Sequence, residues 1–361
     1  MHAGQKSGRD LKRFAALVAA IPLVIAACGT AASPAPASVP ASAGAGASSA
    51  PPSAAVAEET LELAYISFAV ANSYDAPMLA AAKAAATAGN ANLTIFDGNL
   101  DPARQTQQLQ DAIASGKYDG IVLQPVYGPA LVPGAQEAIA AGIAIGNIDQ
   151  ILGSDNTTAE AQVEGQLVNV VFVPSELGRK IGELVVEACA DANPCNVGYI
   201  WSVKAAALDA TLKEAFDKAT SVNPSIKVVA EGESFYTTPL GLKAAQDMLV
   251  AHPDLTVITG ADQAITGAVQ AVADAGVKDK VKLVGYGGGT IAFQGIASGD
   301  RYGTVMQAPA TEGGLGVAMF IEAIRTGVAA PGIDVLADLP DGGVVTKDNV
   351  EGFLTLGEWP G

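Results

Sequence analysis

Chemistry in this chain concentrates where apolar runs stop. Asp149 closes the run 143–148, and a lone carboxylate in that position has to find a partner, which points to a ligand contact. Phe68, Asp97, Gln124, Trp201, Asp262 and Gly287 close other runs of the same kind. Trp201 reads equally as a stacking surface for a ligand or as a lid on the core, and Asp97 and Asp262 as ligand contacts or helix caps. These groups hydrogen-bond and stack; they do not make an acid–base machine. His252 is the only histidine besides His2, and ahead of Pro253 it reads as a surface helix end. No HExxH segment and no paired acid and base are visible, so the expectation is a binder and not an enzyme. The run Gly285 to Thr290 follows a strand as a phosphate loop does. It breaks the dinucleotide pattern at Thr290, lacks a Walker lysine, and reads instead as a flexible glycine turn. No metal or other cofactor is called for.

The elements that must position these groups alternate regularly. Strands are expected at 61–68, 93–96, 120–123 and 143–148, with helices at 77–88, 102–115 and 130–141 between them. Asp101-Pro102 supplies a capping residue followed by proline at the first helical position. After a polar interruption at 150–164 the rhythm restarts. Strands are expected at 167–173, 196–201, 227–230, 256–260, 282–286 and 304–307, and helices at 175–190, 205–219, 240–251, 263–275 and 312–326. Continuous apolar strands between helices imply α/β architecture with parallel sheets covered on both faces. The chain therefore reads as two Rossmann-like lobes joined by extended crossings. Ligands of open α/β sheets sit beyond the carboxyl ends of the strands, and two lobes facing each other can close over one.

The N-terminus gives an address. Lys6, Arg9, Lys12 and Arg13 precede an apolar run from Phe14 to Ala27, a secretory signal too short to span a bilayer comfortably. Ile25-Ala26-Ala27-Cys28 resembles the lipobox of bacterial lipoproteins, which implies a diacylglyceryl thioether on Cys28 and cleavage before it. Residues 1–27 are then signal peptide, and 28–58 are the lipidated cysteine with an Ala/Ser/Pro-rich tether unable to bury a face. Without the signal, sixteen Lys/Arg stand against thirty-six Asp/Glu, a net of −20, poorly suited to nucleic acid. Export also bears on Cys189 and Cys195: an oxidising compartment favours a local disulfide over two free thiols, and a metal site needs more soft ligands than the chain has. About 300 residues remain beyond the tether, more than one core usually organises.

Several segments, in order, carry a family resemblance. Leu63-Ala64-Tyr65-Ile66-Ser67 with Asn72-Ser73-Tyr74, Asp101-Pro102-Ala103-Arg104-Gln105, Tyr118-Asp119-Gly120-Ile121, Ala141-Gly142-Ile143, Leu177-Gly178-Arg179-Lys180, Ala251-His252-Pro253-Asp254, Val284-Gly285-Tyr286 and finally Gln307 are similar to the type I periplasmic substrate-binding proteins of sugar ABC transporters, the ribose-, galactose- and xylose-binding group. The resemblance covers about 61–345. It implies lobes of 59–170 with 309–336 and of 171–308 with 337–361, joined by a multi-strand hinge. It implies that Asn72 and Tyr74 line the first lobe, that Asp149 and Gln150 meet ligand hydroxyls, that Tyr236 or its neighbour Phe235 covers the sugar face, and that Gln307 bonds the ligand from the hinge. Asp262 matches an aspartate beside a binding asparagine, and Phe68 and Trp201 add aromatic surface. Gln150, Ala261 and Gly287 replace the family's arginine, asparagine and aspartate, so a less polar sugar, a deoxysugar, a nucleoside or another ring compound is expected. The implied role is capture of a small ring compound outside the cytoplasm, on a membrane anchor, for delivery to an ABC permease. The alternative is a sensory lipoprotein reporting to a chemoreceptor or histidine kinase.

Overall fold

A computed structural model of the chain describes residues 59–361. The expected signal peptide, Cys28 and the tether lie outside the described residues.

The first sheet is built from β1 (Leu61–Ser67), β2 (Ala91–Asp97), β3 (Gly120–Leu123), β4 (Ala144–Asp149), β5 (Val168–Val171) and β11 (Ile333–Asp334). Its order is β11-β5-β4-β3-β1-β2, and every pair is parallel. The second sheet holds β6 (Cys195–Trp201), β7 (Ile226–Glu233), β8 (Val257–Ala261), β9 (Lys282–Gly287), β10 (Gly303–Met306) and β12 (Val344–Thr346). It runs β12-β10-β9-β8-β6-β7, parallel except for the short edge strand β12. The chain passes between the sheets three times, after β5, after β10 and after β11. This is the two-lobed α/β fold that the alternation predicts.

Helices close both faces of each sheet. In the first lobe α1 (Asp75–Ala88) packs against α9 (Pro309–Thr326), and α9 lies on β4 and β5. Helix α2 (Pro102–Ser115) and α3 (Gly128–Ala140) cover the other face. The Asp101 carboxylate caps α2 by accepting from the amides of Ala103 and Arg104 at 2.9 and 3.2 Å, and Gly116 ends the helix in the left-handed conformation. In the second lobe α4 (Pro174–Ala188) pairs with α5 (Ala207–Thr220), and α6 (Thr238–Ala251) with α7 (Asp262–Asp274). Helix α8 (Thr290–Ser298) follows the glycine turn. A disulfide joins Cys189 to Cys195 between α4 and β6. Among the described residues no helix is long and apolar enough to cross a membrane.

The observed bounds differ from the expected ones where the site is built. Helix α1 starts at Asp75, two residues before the expected start, because Pro77 fits inside the first helical turn, where its missing N–H has no partner to lose.

Phe320 shows how the first lobe is locked. It is fully buried on α9, and its ring rests on Gly120 of β3 and Gly146 of β4, where a Cβ would come within 2.8 Å of ring carbons. Two neighbouring strands thus forgo side chains to admit one ring. Phe320→Ala is expected to cost about 3–5 kcal/mol in urea unfolding; a loss under about 1 kcal/mol would show that the lobe closes up without the ring.

Candidate functional site

The carboxyl ends of both sheets meet around one small cavity of about 40 Å³. Phe68, Asn72, Tyr74 and Gln150 line it from the first lobe, together with Asp149 at the tip of β4. Tyr236 reaches it from the loop after β7, and Gln307 from the crossing after β10. Seven of the ten expected ligand residues are thereby brought together. Asp75, Phe172, Leu208 and Tyr286 complete the wall. The volume is well short of the roughly 300 Å³ at which small-molecule sites begin, so a ring compound enters only if the lobes part at the crossings. Larger open grooves of about 590 Å³ and 830 Å³ run along β7 with α6 and between α4 and α5. Neither draws strand ends from both sheets, so the small cavity is the better candidate.

Two segments hold unfavourable backbone at this place. Asp149 has φ 71°, and Phe235 and Tyr236 have φ 48° and 54°. Left-handed conformations cost a residue with a Cβ on the order of 1 kcal/mol or more and persist where the surroundings dictate them. Here the strain turns the Asp149 carboxylate out of the strand and separates two adjacent aromatic rings.

That separation places one of the two aromatics at the cavity and the other outside it. Tyr236 points inward, its ring edge-on to Phe68 with centroids 6.1 Å apart, whereas Phe235 is 46% exposed on the outer groove. Trp201 is also outside the cavity: its Nε1 donates to Glu231 at 3.1 Å, Lys204 lies over its ring, and Tyr199 packs against it edge-on. It lids the core. Asp262 is a structural ion pair, accepting from Arg301 at 2.9 Å, from the Thr304 hydroxyl at 2.9 Å and from the Gly288 amide at 2.7 Å. Arg301 in turn donates to Thr266, so the pair anchors the glycine turn with no oxygen facing the cleft. Asp97 braces a turn, accepting from the amides of Val70 and Asn99.

Below the cavity lies a carboxyl cluster that sequence reasoning missed. Gln124, at the end of β3 and fully buried, donates from Nε2 to Asp75 at 2.5 Å and to Asp149 at 3.0 Å. Its Oε1 accepts from the Phe68 amide and the Tyr65 hydroxyl. Glu312, in the first turn of α9, faces Asp149 from the other side and receives the Tyr74 hydroxyl at 3.4 Å. Asp75 is 1% exposed, Asp149 2% and Glu312 0%. Burial pushes Asp149 up to about 6, with the Gln124 hydrogen bond pulling it back. Burial, and then the charge of Asp149, hold Asp75 and Glu312 well above the carboxylate range. Asp209, across the cleft at the start of α5, is pushed by burial to about 7. Acidic residues in the first turn of a helix ordinarily read as macrodipole partners, which hides Asp75, Asp209 and Glu312 in a sequence.

The missing family aspartate also has a structural account. At Gly287, with φ 129°, a Cβ would come within 2.6 Å of the Trp359 ring. Trp359 donates to the Gly287 carbonyl at 3.0 Å and packs edge-on against Tyr74 at 5.5 Å. An indole from the C-terminal segment stands where a side chain would be, and it meets the first lobe.

Two mainly parallel sheets, three crossings and a cavity between the strand ends define a two-lobed binding protein. Residues 63–327 match the family model of the periplasmic binding protein domain, and the chain belongs to that family. It is similar to the D-allose-binding periplasmic protein of Escherichia coli, 29% identical over 252 residues, covering 66% of this chain and 77% of that one. Among solved structures it resembles a Mycobacterium smegmatis ABC transporter solute-binding protein with bound glycerol, with TM-score 0.69, 24% identity, and 84% and 100% of the two chains covered. It also resembles an Actinobacillus succinogenes periplasmic solute-binding protein with bound D-allose, with TM-score 0.68, 23% identity and coverage of 81% and 100%.

The cluster makes stability depend on pH with a definite sign. Asp149 and Asp209 are raised from 3.8 in the folded chain, so between about pH 4 and 7 the folded state holds more protons than the unfolded one. Stability then falls as pH rises through that window. Asp155 and Asp300, whose carboxyls are lowered, act only at more acid pH. The ligand-free protein is expected to melt higher at pH 5 than at pH 7.5, and Asp149→Asn to gain on the order of 2 kcal/mol at pH 7.5 while flattening the profile. A melting temperature that climbs from pH 5 to 7.5 would contradict the burial of unpaired carboxylates.

Proposed function

We propose that this chain is an extracytoplasmic receptor that captures a sugar-like ring compound by lobe closure and delivers it to an ABC permease. Its support is the cavity to which both sheets contribute strand ends, in a chain of the periplasmic binding protein family. The names of its relatives, D-allose- and ribose-binding proteins, favour a monosaccharide-sized ligand. In this reading Phe68 and Tyr236 cover the ring faces, Asn72, Gln150 and Gln307 bond its hydroxyls, and Asp149 accepts the strongest bond because it is ionisable. Residues 59–170 with 309–336 act as one lobe and 171–308 with 337–361 as the other. Ligand held by one lobe stabilises closure through its added contacts with the second. The protein binds and releases without chemistry, and Cys28, lipidated, keeps it beside the permease.

Two measurements check this. Monosaccharides titrated calorimetrically are expected to include one that binds saturably, contracts the protein in small-angle scattering, and at 100 times its dissociation constant stabilises by about 2.7 kcal/mol. Binding without contraction would reject closure, and no binding by any monosaccharide would reject the sugar reading. For the anchor, the protein made in a bacterial host is expected to sediment with membranes and to carry a diacylglyceryl group on Cys28, with Cys28→Ala soluble; an unmodified cysteine would reject it.

A further inference from the structure

Among the described residues the carboxyls beneath the cavity have no counter-charge: no lysine, arginine or histidine lines the cavity, and none of the ion pairs includes Asp75, Asp149 or Glu312. Gln124 spends both N–H groups, one on each aspartate, and that leaves Asp75 Oδ2 and Asp149 Oδ1 buried without partners. Glu312 Oε1 is a third such atom. Glu312 hydrogen-bonds Asp149, so a proton on Glu312 is shared with that aspartate, and burial beside the Asp149 charge favours a proton on Asp75 as well; the cluster as a whole still has no cationic partner.

A sugar hydroxyl brings one donor and a lone-pair oxygen that a carboxylate repels. An alkylammonium brings a positive charge, up to three donors and no acceptor. The carboxyls among the described residues do not form a group able to cage a metal ion. The net charge of −20 beyond the signal peptide favours cations over anions near the protein. We propose that the cavity takes a ring compound bearing a protonated amine, an amino sugar or an imino sugar, with the ammonium held by the oxygens of Asp75 and Asp149 that Gln124 does not bond. This rests on the sugar-receptor reading of the same cavity and narrows it. Gln124 then acts as a positioning residue: its Nε2 bonds one oxygen of each aspartate and so orients the other.

The test uses the full exported chain and matched probes: D-glucosamine, D-galactosamine and 1-deoxynojirimycin against D-glucose, D-galactose and N-acetyl-D-glucosamine, titrated at pH 7.5. At least one amine is expected to bind tenfold or more tighter than its neutral counterpart, with that preference lost in both Asp75→Asn and Asp149→Asn. Asp149→Asn should melt at or above the parent temperature at pH 7.5, because it removes a buried charge, and Asp75→Asn should melt close to the parent, because burial already favours the neutral carboxyl there. A neutral sugar that binds as tightly as its amine, or a preference that survives both substitutions, overturns the ammonium site and leaves the sugar receptor standing. Failure of every probe, amine and neutral alike, overturns both.

Discussion

One amide holds the site together. Gln124 is fully buried at the tip of β3 and touches four partners: two carboxylates through its nitrogen, a backbone amide and a tyrosine through its oxygen. Its own carbonyl accepts from Gln105, which also bonds the Ser67 carbonyl and receives the Val126 amide. Two glutamines thus tie the ends of β1 and β3 together and fix where Phe68 leaves the sheet. Two carboxylates cannot be brought together out of water without a donor between them. The neutral amide supplies hydrogen bonds but no charge, so it orders the carboxylates and leaves their electrostatic demand unmet.

That demand bears on how the two lobes meet at the site. The carboxylates and Gln124 belong to the first sheet and its helices, while Tyr236, Tyr286 and Leu208 come from the second. Tyr286 shares a 2.7 Å hydrogen bond with Ser202, and the Ser202 amide donates to Asp209 at 2.7 Å, so the second lobe offers a rigid, satisfied polar wall. The first lobe offers acceptors still short of donors. A ligand that satisfies the first lobe and rests its ring on the aromatics of the second gains most when both are in place, the condition for a ligand to shift the open–closed balance. The contacts that already span the lobes include two aromatic edges, Phe68 on Tyr236 and Tyr74 on Trp359, and hydrogen bonds from Thr311 to the Glu358 carboxylate and from Asn156 to Thr211.

The fold was legible because its signals are local and redundant. Apolar strands, proline at helix starts and glycine at helix ends recur in each unit, and no one of them has to be right for the alternation to show. Asp149 was legible for a related reason, since a carboxylate closing an apolar strand stands out. Asp75 and Glu312 were not, because an acid in a first helical turn already has an ordinary explanation. Asp262 misled in the opposite sense. It sits at the carboxyl end of β8 and looks like a ligand contact, but its partner Arg301 lies 39 positions away, and only the folded chain brings them together. Phe235 and Tyr236 were inseparable in one dimension; two successive left-handed residues decide which ring faces the cleft. Trp359, remote from every family motif, occupies the space beside Gly287 that no pattern in the sequence could assign.

The account stands on buried carboxyls that lack a counter-charge, and their ionisation can be read directly. With ¹³C-labelled aspartate, the Asp149 carboxyl resonance can be followed against pH in the free protein. The structure predicts a midpoint at about 6, displaced upward by burial. A midpoint in the ordinary aspartate range near 3.8 would mean that the carboxylate is already solvated or paired, and that the unmet charge at the cleft floor does not exist.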